Sequence, residues 1–441
     1  MARKVQLVTL GCSKNRVDSE HLLRQMFDTG IQISPEGEDL AVANADTIII
    51  NTCGFVKDAK QESIDAIFAA VDAKNRGYVK QVFVFGCLSQ RYREELSESI
   101  PEVDGFFGAF DSFSVLEVLG EKWNPCLNNQ RYLTTPPHYA FLKISEGCDR
   151  ICSYCSIPLI RGAHISVPED ALLEEARYLA AKGVKELILV AQDTTYYGVD
   201  LYKERRLASL MDKLTTIDGI EWLRLHYSYP AAFPEAVLDV MANNPKVCKY
   251  LDIPLQHVND KVLANMRRSV DGATTRALIE KFRKKVPGIV LRTTMIVGHP
   301  GEDKRAFREL LRFVEEARFE RLGAFTYSEE EGTWGAQNLK DTIRQKEKDE
   351  RHAELMELQS RISFDFNRSR IGSVEKVIVD SEDDTVFVAR SMKESPEVDG
   401  EILIGKDTLP KNLSTGNIIG TFVEVEIEKA GEYDLTGKFV K

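Results

Sequence analysis

Short apolar runs alternate with helical patterns along the first 120 residues of the chain. The runs at residues 5–10, 47–50 and 82–85 are largely apolar, which is typical of strands that are buried on both faces. Helical patterns between such strands indicate crossover connections and therefore a parallel sheet. The pattern predicts an open parallel α/β domain over residues 1–120.

Each of these three predicted strands is followed almost at once by a cysteine: Cys12, Cys53 and Cys87. Open α/β folds place their ligand sites at the carboxyl edge of the sheet, where parallel strands end together, so we expect these thiols to converge. The alternative is that they are ordinary core residues, because Cys is often buried without any chemical role. They are far apart in sequence and form no local motif.

A second series of apolar runs follows residues 121–138, whose Pro, Asn and Thr content is typical of a linker. The runs lie at residues 140–144, 186–191, 222–226, 250–253, 290–297 and 322–327. Helical patterns separate them, including an apolar stripe at residues 306–317 and a helix start with Ser166 and Glu169 spaced as in a capping box. Over residues 139–371 these units predict a partial TIM-like (β/α)6 barrel, in which chemistry gathers where the strands end.

The pattern changes to period two after a charged helical stretch at residues 341–371. Apolar and polar residues alternate at residues 374–379, 385–389, 401–404 and 421–427. Short strands at this spacing predict a small antiparallel β-barrel over residues 372–441.

Composition narrows the possible functions. The chain has eight cysteines and neither a secretory pattern at its start nor an apolar window of membrane length, so we expect a cytoplasmic protein in a reducing compartment. Thiols there are more often catalytic or metal-bound than paired. The net charge of −11 argues against nucleic acid as the primary partner, because phosphate binding depends on Lys and Arg.

The densest group of thiols is Cys148, Cys152 and Cys155, directly after a predicted strand. Three thiolates cannot close a tetrahedral zinc site, and the spacing fits an iron–sulfur cluster with one iron left open for a ligand. Buried structural cysteines or a zinc knuckle are the alternatives.

These residues also carry a family resemblance. The spacing of the three cysteines, with Tyr154 before the last, resembles the signature of radical S-adenosylmethionine (SAM) enzymes. Further motifs resemble the methylthiotransferases of that superfamily and lie at residues 10–15, 51–54, 86–87, 145–148, 157–162, 252–257, 296–302 and 327–333. The resemblance spans essentially the whole chain and implies an N-terminal cluster domain, a radical SAM barrel and a TRAM-type β-barrel.

The resemblance implies two 4Fe–4S clusters, one on Cys148, Cys152 and Cys155 and one on Cys12, Cys53 and Cys87. The first would generate a radical from SAM, and the second would present a methylated sulfur for transfer, with an electron donor supplying reductant. It further implies SAM or substrate contacts from six side chains or backbone positions: Tyr154, Gln192, Asp193, Gln256, His257 and Gly298. His299 departs from the aromatic residue often found at its position in the family.

Substrate divides the family into two branches, one acting on a transfer-RNA adenosine and one on an aspartate of ribosomal small-subunit protein twelve. The predicted C-terminal barrel has 15 acidic and 8 basic residues, and Glu424, Glu426 and Glu428 share one strand face, which favours attraction to a basic protein. Motifs at residues 192–198 and 432–435 also resemble the ribosomal-protein branch. We therefore predict methylthio insertion at the aspartate β-carbon. The alternatives are the transfer-RNA reaction and a non-catalytic iron–sulfur redox protein.

Overall fold

A computed structural model describes residues 3–35, 37, 45–410 and 418–440. Their strands form a five-stranded sheet, a six-stranded sheet, a closed barrel and a two-stranded ribbon. No helix in these described segments combines the length and apolar character that crossing a membrane requires.

The first sheet is wholly parallel, with strand order β2-β1-β3-β4-β5. Its strands are β1 (Lys4–Thr9), β2 (Gln32–Ser34), β3 (Thr47–Thr52), β4 (Gln81–Gly86) and β5 (Gly105–Phe106). The helices are α1 (Ser13–Asp28), α2 (Lys57–Asn75), α3 (Cys87–Ser99) and α4 (Ser112–Val118). The three predicted strands are confirmed as the central ones, whereas β2 and β5 are too short to show a pattern.

The second sheet contains the six predicted strands, all parallel to their neighbours. Its order is β13-β12-β11-β10-β9-β6, while β7 (Ser145–Glu146) and β8 (Ile165–Ser166) form the ribbon. The six strands are β6 (Tyr139–Lys143), β9 (Glu186–Val190), β10 (Trp222–Leu225), β11 (Val247–Asp252), β12 (Val290–Val297) and β13 (Arg321–Thr326). A short 3-10 turn, Pro125–Leu127, precedes them in the predicted linker.

Helices follow these strands along the chain. They are α5 (Ile157–Arg161), α6 (Glu169–Ala181), α7 (Val199–Tyr202), α8 (Leu207–Thr215), α9 (Glu235–Asn243), α10 (Asp260–Asn265), α11 (Gly272–Lys285), α12 (Lys304–Ala317) and α13 (Trp334–Asn338). The stripe at residues 306–317 is confirmed as the buried face of α12. The capping box is wrong: Ser166 lies in β8 and bonds Asp200, and Pro168 occupies the N-cap of α6 without a side-chain cap.

The long helix α14 (Gln345–Arg368) leads into the closed barrel, whose strand order is β14-β15-β16-β18-β17. The barrel strands are β14 (Val374–Glu382), β15 (Val386–Ser391), β16 (Ile402–Gly405), β17 (Phe422–Ala430) and β18 (Leu435–Phe439). Neighbours are antiparallel except β16 and β18, which pair in parallel. The sequence pattern missed β18, because Thr436 and Lys438 alternate with a glycine and only two apolar residues.

Residues 391–399, here called the floor segment, connect β15 to β16 and enter the central sheet from the amino ends of its strands. Tyr139, the first residue of β6, donates to Glu397 at 2.9 Å, and Tyr250 donates to Asp399 at 2.6 Å. The Ser395 hydroxyl reaches farther along the strands and lies 2.9 Å from Nε2 of His226, the residue that follows β10. The C-terminal barrel is therefore attached at the end of the sheet opposite the strand carboxyl ends.

Buried ion pairs reinforce this attachment. Glu186, the first residue of β9, accepts from Arg224 and from Arg390 of the barrel, each at 2.7 Å. Glu394 of the floor segment lies 3.0 Å from the Arg321 guanidinium of β13 and also pairs with Arg370. Arg224 thus reaches a carboxylate, and His226 is buried.

Candidate active site

The N-terminal cysteines, Cys12, Cys53 and Cys87, meet at the carboxyl edge of the first sheet. Asn15, buried at the start of α1, reaches all three strand ends. Its amide donates to the carbonyls of Leu10 at 3.0 Å and Thr52 at 3.1 Å, and its oxygen lies 3.6 Å from Cys87 Sγ. The predicted convergence of the strand ends is therefore present in the structure.

Glycines next to these cysteines allow the close approach. Gly11 has φ +87, and a Cβ there would lie 2.8 Å from Cys53 Sγ. Gly86 has φ +106, and its Cβ would lie 2.4 Å from the Asn51 side-chain oxygen. Any larger residue at either position would both strain the backbone and displace a neighbour of the thiols.

Burial makes the thiols of Cys53 and Cys87 hard to ionise without a positive partner, because it raises the pKa of both. It raises the pKa of Cys53 to about 12, and the nearby Cys12 and Cys87 add to the rise. Burial also raises the pKa of Cys87, although the Arg161 guanidinium opposes it. Metal binding stabilises thiolates and displaces such protons, so buried thiols of this kind can serve as ligands of a positively charged centre.

The loop cysteines, Cys148, Cys152 and Cys155, follow β6 and β7 at the carboxyl end of the central sheet. Backbone hydrogen bonds fix the loop: Cys148 N donates to Gly162 O at 3.1 Å and Ser153 N donates to Met266 O at 3.0 Å. Gly147 has φ +71, and a Cβ there would lie 2.0 Å from a carbonyl oxygen. Other segments therefore hold the loop at Cys148 and at Ser153.

Two arginines flank the loop cysteines. The backbone N–H of Arg150 donates to Cys148 Sγ at 3.4 Å, while its side chain pairs with Asp193 at 2.8 Å. Arg268 reaches Cys152 Sγ at 3.6 Å. Burial raises the pKa of Cys148 to about 11, so positive charge close to the loop helps the thiolate forms.

Three of the residues named from the resemblance, Tyr154, Gln192 and Asp193, lie in or beside the cysteine loop. Tyr154 is packed against Met266 and lies edge-on to His299, with ring centroids 6.3 Å apart. Gln192, two residues beyond β9, donates to Glu146 at 2.6 Å. Asp193 is buried and already engaged by Arg150 and by Thr195.

The other three lie at the ends of β11 and β12. Gln256 has φ +73, a left-handed conformation that costs free energy in a non-glycine residue and often marks functional sites. His257 is fully buried; its Nδ1 accepts from the Asn259 backbone and its Nε2 lies 3.2 Å from Glu302. Gly298 has φ +76, and a Cβ there would lie 2.4 Å from the stem of Lys348. Packing against α14 alone is therefore enough to require glycine at Gly298.

The side chains at the carboxyl end of the central sheet leave buried polar atoms without hydrogen-bond partners. They include Gln192 Oε1, Gln256 Oε1, Arg150 Nη2, Arg268 Nε and the Ser228 hydroxyl. Buried polar atoms normally find partners, so a cluster of unpartnered ones beside three thiols fits a polar ligand such as SAM.

The two domains that carry the cysteine groups are in contact. Arg161, at the end of α5, is buried and donates to Cys87 Sγ at 3.3 Å. Lys14 of α1 lies 3.4 Å from the ring centroid of Tyr227, and Arg91 of α3 lies 3.1 Å from Glu330. In the sequence, Arg161 stands out only as part of the motif at residues 157–162. Nothing in its local sequence indicates a partner in the first domain.

Family models match three successive segments of the chain. The Radical SAM superfamily matches residues 142–314, the uncharacterized protein family UPF0004 matches residues 4–108, and the TRAM domain matches residues 371–440. The first segment covers strands β9 to β12 of the central sheet and the end of β6, the second covers the first sheet, and the third covers the closed barrel.

Curated relatives match over the full length. The chain is 49% identical over 439 residues to the ribosomal protein uS12 methylthiotransferase RimO of Cytophaga hutchinsonii, covering 99% of this chain and 98% of the relative. It is 48% identical over 441 residues to the protein of the same name from Bacteroides fragilis, covering 100% of both.

Solved structures share the fold at low sequence identity. The radical SAM methyltransferase TsrM from Kitasatospora setae matches with a TM-score of 0.52 and 14% identity, covering 74% of this chain and 75% of that one. The cobalamin-dependent SAM radical enzyme OxsB matches with a TM-score of 0.51 and 12% identity, covering 80% of this chain and 56% of that one.

Sequence, fold and site agree on one enzyme class. The full-length identity is far above what similarity of fold alone would give, and the matched superfamily uses an iron–sulfur cluster together with SAM. The chain is an enzyme that belongs to the RimO family of radical SAM methylthiotransferases.

Proposed function

We propose that this enzyme inserts a methylthio group at the β-carbon of an aspartate of ribosomal protein uS12 in the cytoplasm, using SAM and two 4Fe–4S clusters. The observation that carries the proposal is the contact of Arg161, six residues after the loop cysteines, with Cys87 of the N-terminal group, in a chain 49% identical to a RimO protein. A single radical SAM cluster would need only the loop cysteines. The second group supplies the site for the sulfur that is transferred.

The loop cysteines would hold the cluster that binds SAM, and the N-terminal cysteines would hold the other. When bound, the clusters and SAM supply a radical that removes hydrogen from an unactivated carbon and a sulfur that replaces it. The protein positions these groups: Gly162 and Met266 fix the loop, and Asn15 ties together the three strand ends. Reduction by an external electron donor completes the requirements.

Polar side chains at the mouth of the central sheet would orient SAM. The unpartnered oxygens of Gln192 and Gln256 are the acceptors available for its amino and hydroxyl groups. Tyr154 would stabilise the cysteine loop by packing against Met266. Asp193 would orient the Arg150 side chain by pairing with it. His257 and Gly298 would lie beneath the side chains that contact SAM, because His257 pairs with Glu302 and Gly298 packs against Lys348.

The outer surface of the C-terminal barrel would attract the basic substrate. Several of its carboxylates are unavailable, because Glu375 and Glu394 pair with Arg370 and the Asp399 side chain accepts from Tyr250. The exposed carboxylates that remain include Asp384, Asp407 and Glu424. The excess of acidic over basic residues in this barrel therefore overstates the negative charge that its surface presents to a partner.

The test is an anaerobic reaction of reconstituted enzyme with SAM, reductant and either purified uS12 or transfer RNA. We expect mass spectrometry to show a methylthio group on an aspartate of uS12. Methylthio transfer to transfer RNA alone would contradict the proposal, and failure to cleave SAM would favour a non-catalytic redox protein.

Iron and sulfide counts test the two-cluster arrangement independently of the substrate. Replacing Cys148, Cys152 and Cys155 by Ala should leave about half of the iron, because the N-terminal cysteines bind a separate cluster. The reciprocal triple variant of Cys12, Cys53 and Cys87 is the matched control and should retain the other half. Loss of all iron from either variant would contradict two independent sites.

A further inference from the structure

Arg161 joins the two domains at the sulfur of Cys87. Its side chain is only 2% exposed, although it carries a full charge. Nε donates to Cys87 Sγ at 3.3 Å and Nη2 donates to Asn15 Oδ1 at 2.7 Å. Nη1 donates to Asp18 Oδ2 at 2.9 Å and Glu146 Oε2 at 3.1 Å. Four partners, three of them in the N-terminal domain, use three of its nitrogens.

The contact with sulfur is not needed to neutralise the buried charges. Lys143 pairs with both Asp18 and Glu146, so two cations face two carboxylates in this cluster. Burial disfavours the charged form of Glu146, but Lys143 and Arg161 together lower its pKa to about 2. The carboxylates hold the guanidinium in place, and its remaining edge is directed at Asn15 and Cys87.

We infer that Arg161 is a positioning residue for the N-terminal cluster, acting on it from the other domain through the sulfur of Cys87. This inference rests on the proposed function, because it requires a cluster on the N-terminal cysteines. Hydrogen bonds to ligand sulfurs and nearby charge set the reduction potentials of iron–sulfur clusters. A guanidinium in a buried site favours the reduced cluster, which carries more negative charge.

The competing role for Arg161 is to hold the domains together. Arg91 provides a matched control, because its side chain is 8% exposed and lies 3.1 Å from Glu330 across the same interface. Arg91 also contacts the Glu331 carbonyl and the ring of Tyr92, so it bridges the domains through groups other than a thiol. A variant at Arg91 weakens the interface and leaves the sulfur contact intact.

The experiment measures the midpoint potential of the N-terminal cluster by electron paramagnetic resonance during a redox titration. Full-length protein with Cys148, Cys152 and Cys155 changed to Ala isolates that cluster. Arg161→Gln, Arg161→Lys and Arg91→Gln are each added to this background. Lys143 remains to pair with Asp18 and Glu146, so Arg161→Gln leaves neither carboxylate without a cation.

We expect Arg161→Gln to lower the midpoint potential of the N-terminal cluster. Arg161→Lys should lower it less, because lysine keeps the positive charge but loses the several N–H donors of the guanidinium. Arg91→Gln should leave the potential unchanged. Equal decreases in Arg161→Gln and Arg91→Gln would overturn the inference in favour of domain packing. An unchanged potential in both Arg161 variants would overturn it outright. Should Arg161→Gln fail to fold, Arg161→Lys and Arg91→Gln decide the same question.

The same preparations separate this inference from the proposed function. If the background protein without the loop cysteines retains no iron, there is no independent N-terminal cluster, and the proposed function and the role of Arg161 both fail. If iron is retained and the potential does not respond to Arg161, only the role of Arg161 fails.

Discussion

At the scale of single residues, the site depends on glycines as much as on cysteines. The sequence pattern was sufficient to predict that Cys12, Cys53 and Cys87 meet, because each follows a strand that is buried on both faces and such strands end at one edge. It could not reveal that Gly86 must approach Asn51, since that contact depends on the register between β3 and β4.

Gly86→Ala tests this requirement. We expect a loss of about 2–4 kcal/mol in the free energy of unfolding of the cluster-free protein, because the change combines left-handed backbone strain with overpacking. Gly77→Ala is the control, since Gly77 has φ +79 but no atom within 4 Å of its Cβ position, and should show only the smaller backbone cost. Urea unfolding measures both, and equal losses would show that the close approach is unimportant.

Arg161 shows where prediction from the sequence stops at this scale. It lies six positions after Cys155 in a short helix, and its sulfur partner is in another domain. Strand patterns and local spacing report neighbours within one sheet or one loop. Contacts between domains depend on how the surfaces of two folded domains pack together, and a local sequence pattern carries no information about that packing.

At the scale of elements, the floor segment is the least expected feature. Its sequence, with Lys393, Pro396 and Glu397, has the composition of an exposed loop between two barrel strands. The structure instead buries Ser395 and Glu394 in the central domain. The strands were predictable because apolar runs bury themselves in any fold, whereas buried polar segments are stable only with partners supplied by other elements.

His226 makes the docking of this segment sensitive to pH. Burial lowers its pKa to about 3, and Arg224 and Arg292 contribute while Asp252 opposes them. Because the unfolded-state pKa is about 6.5, the folded protein resists protonation, and stability present above that pH is lost as pH falls. From pH 7 to pH 5.5 this one group should cost about 1 kcal/mol.

His226→Gln should remove this part of the pH dependence while keeping a hydrogen-bonding group next to Ser395. Urea unfolding at the two pH values measures it, with wild type as the comparison. His21 and His299, whose pKa values burial lowers to about 4, contribute equally to both proteins. Identical pH dependence in the variant and wild type would rule out His226 as a contributor.

At the scale of the whole molecule, the two ends of the central sheet have different partners. The cysteines and the N-terminal domain lie at the carboxyl ends of its strands, and the C-terminal barrel is attached at the amino ends. The strands between are four to eight residues long, which is roughly 13 Å or more at about 3.3 Å per residue. An acidic surface on the barrel would therefore hold the substrate at a distance from the reacting sulfur.

Remote docking of this kind should change substrate capture and not chemistry. In the triple variant Asp384→Asn, Asp407→Asn and Glu424→Gln we expect KM for uS12 to rise about three- to tenfold at low salt with kcat unchanged. The matched control removes equal charge from the N-terminal domain through Glu94→Gln, Glu95→Gln and Glu98→Gln. A similar rise in the control, or a rise that persists at high salt, would exclude local docking on the barrel.

The ion pairs around the floor segment also determine which domains can be exchanged within the family. Glu186 and Arg224 on the central sheet are matched to Arg390 and the main chain of residue 392 on the barrel. A foreign barrel lacking Arg390 would leave the carboxylate of Glu186 with one cation in place of two. A chimera with a barrel from another family member should therefore exchange the residues on both sides of this domain contact together, Glu186 and Arg224 on the sheet with Arg390 on the barrel.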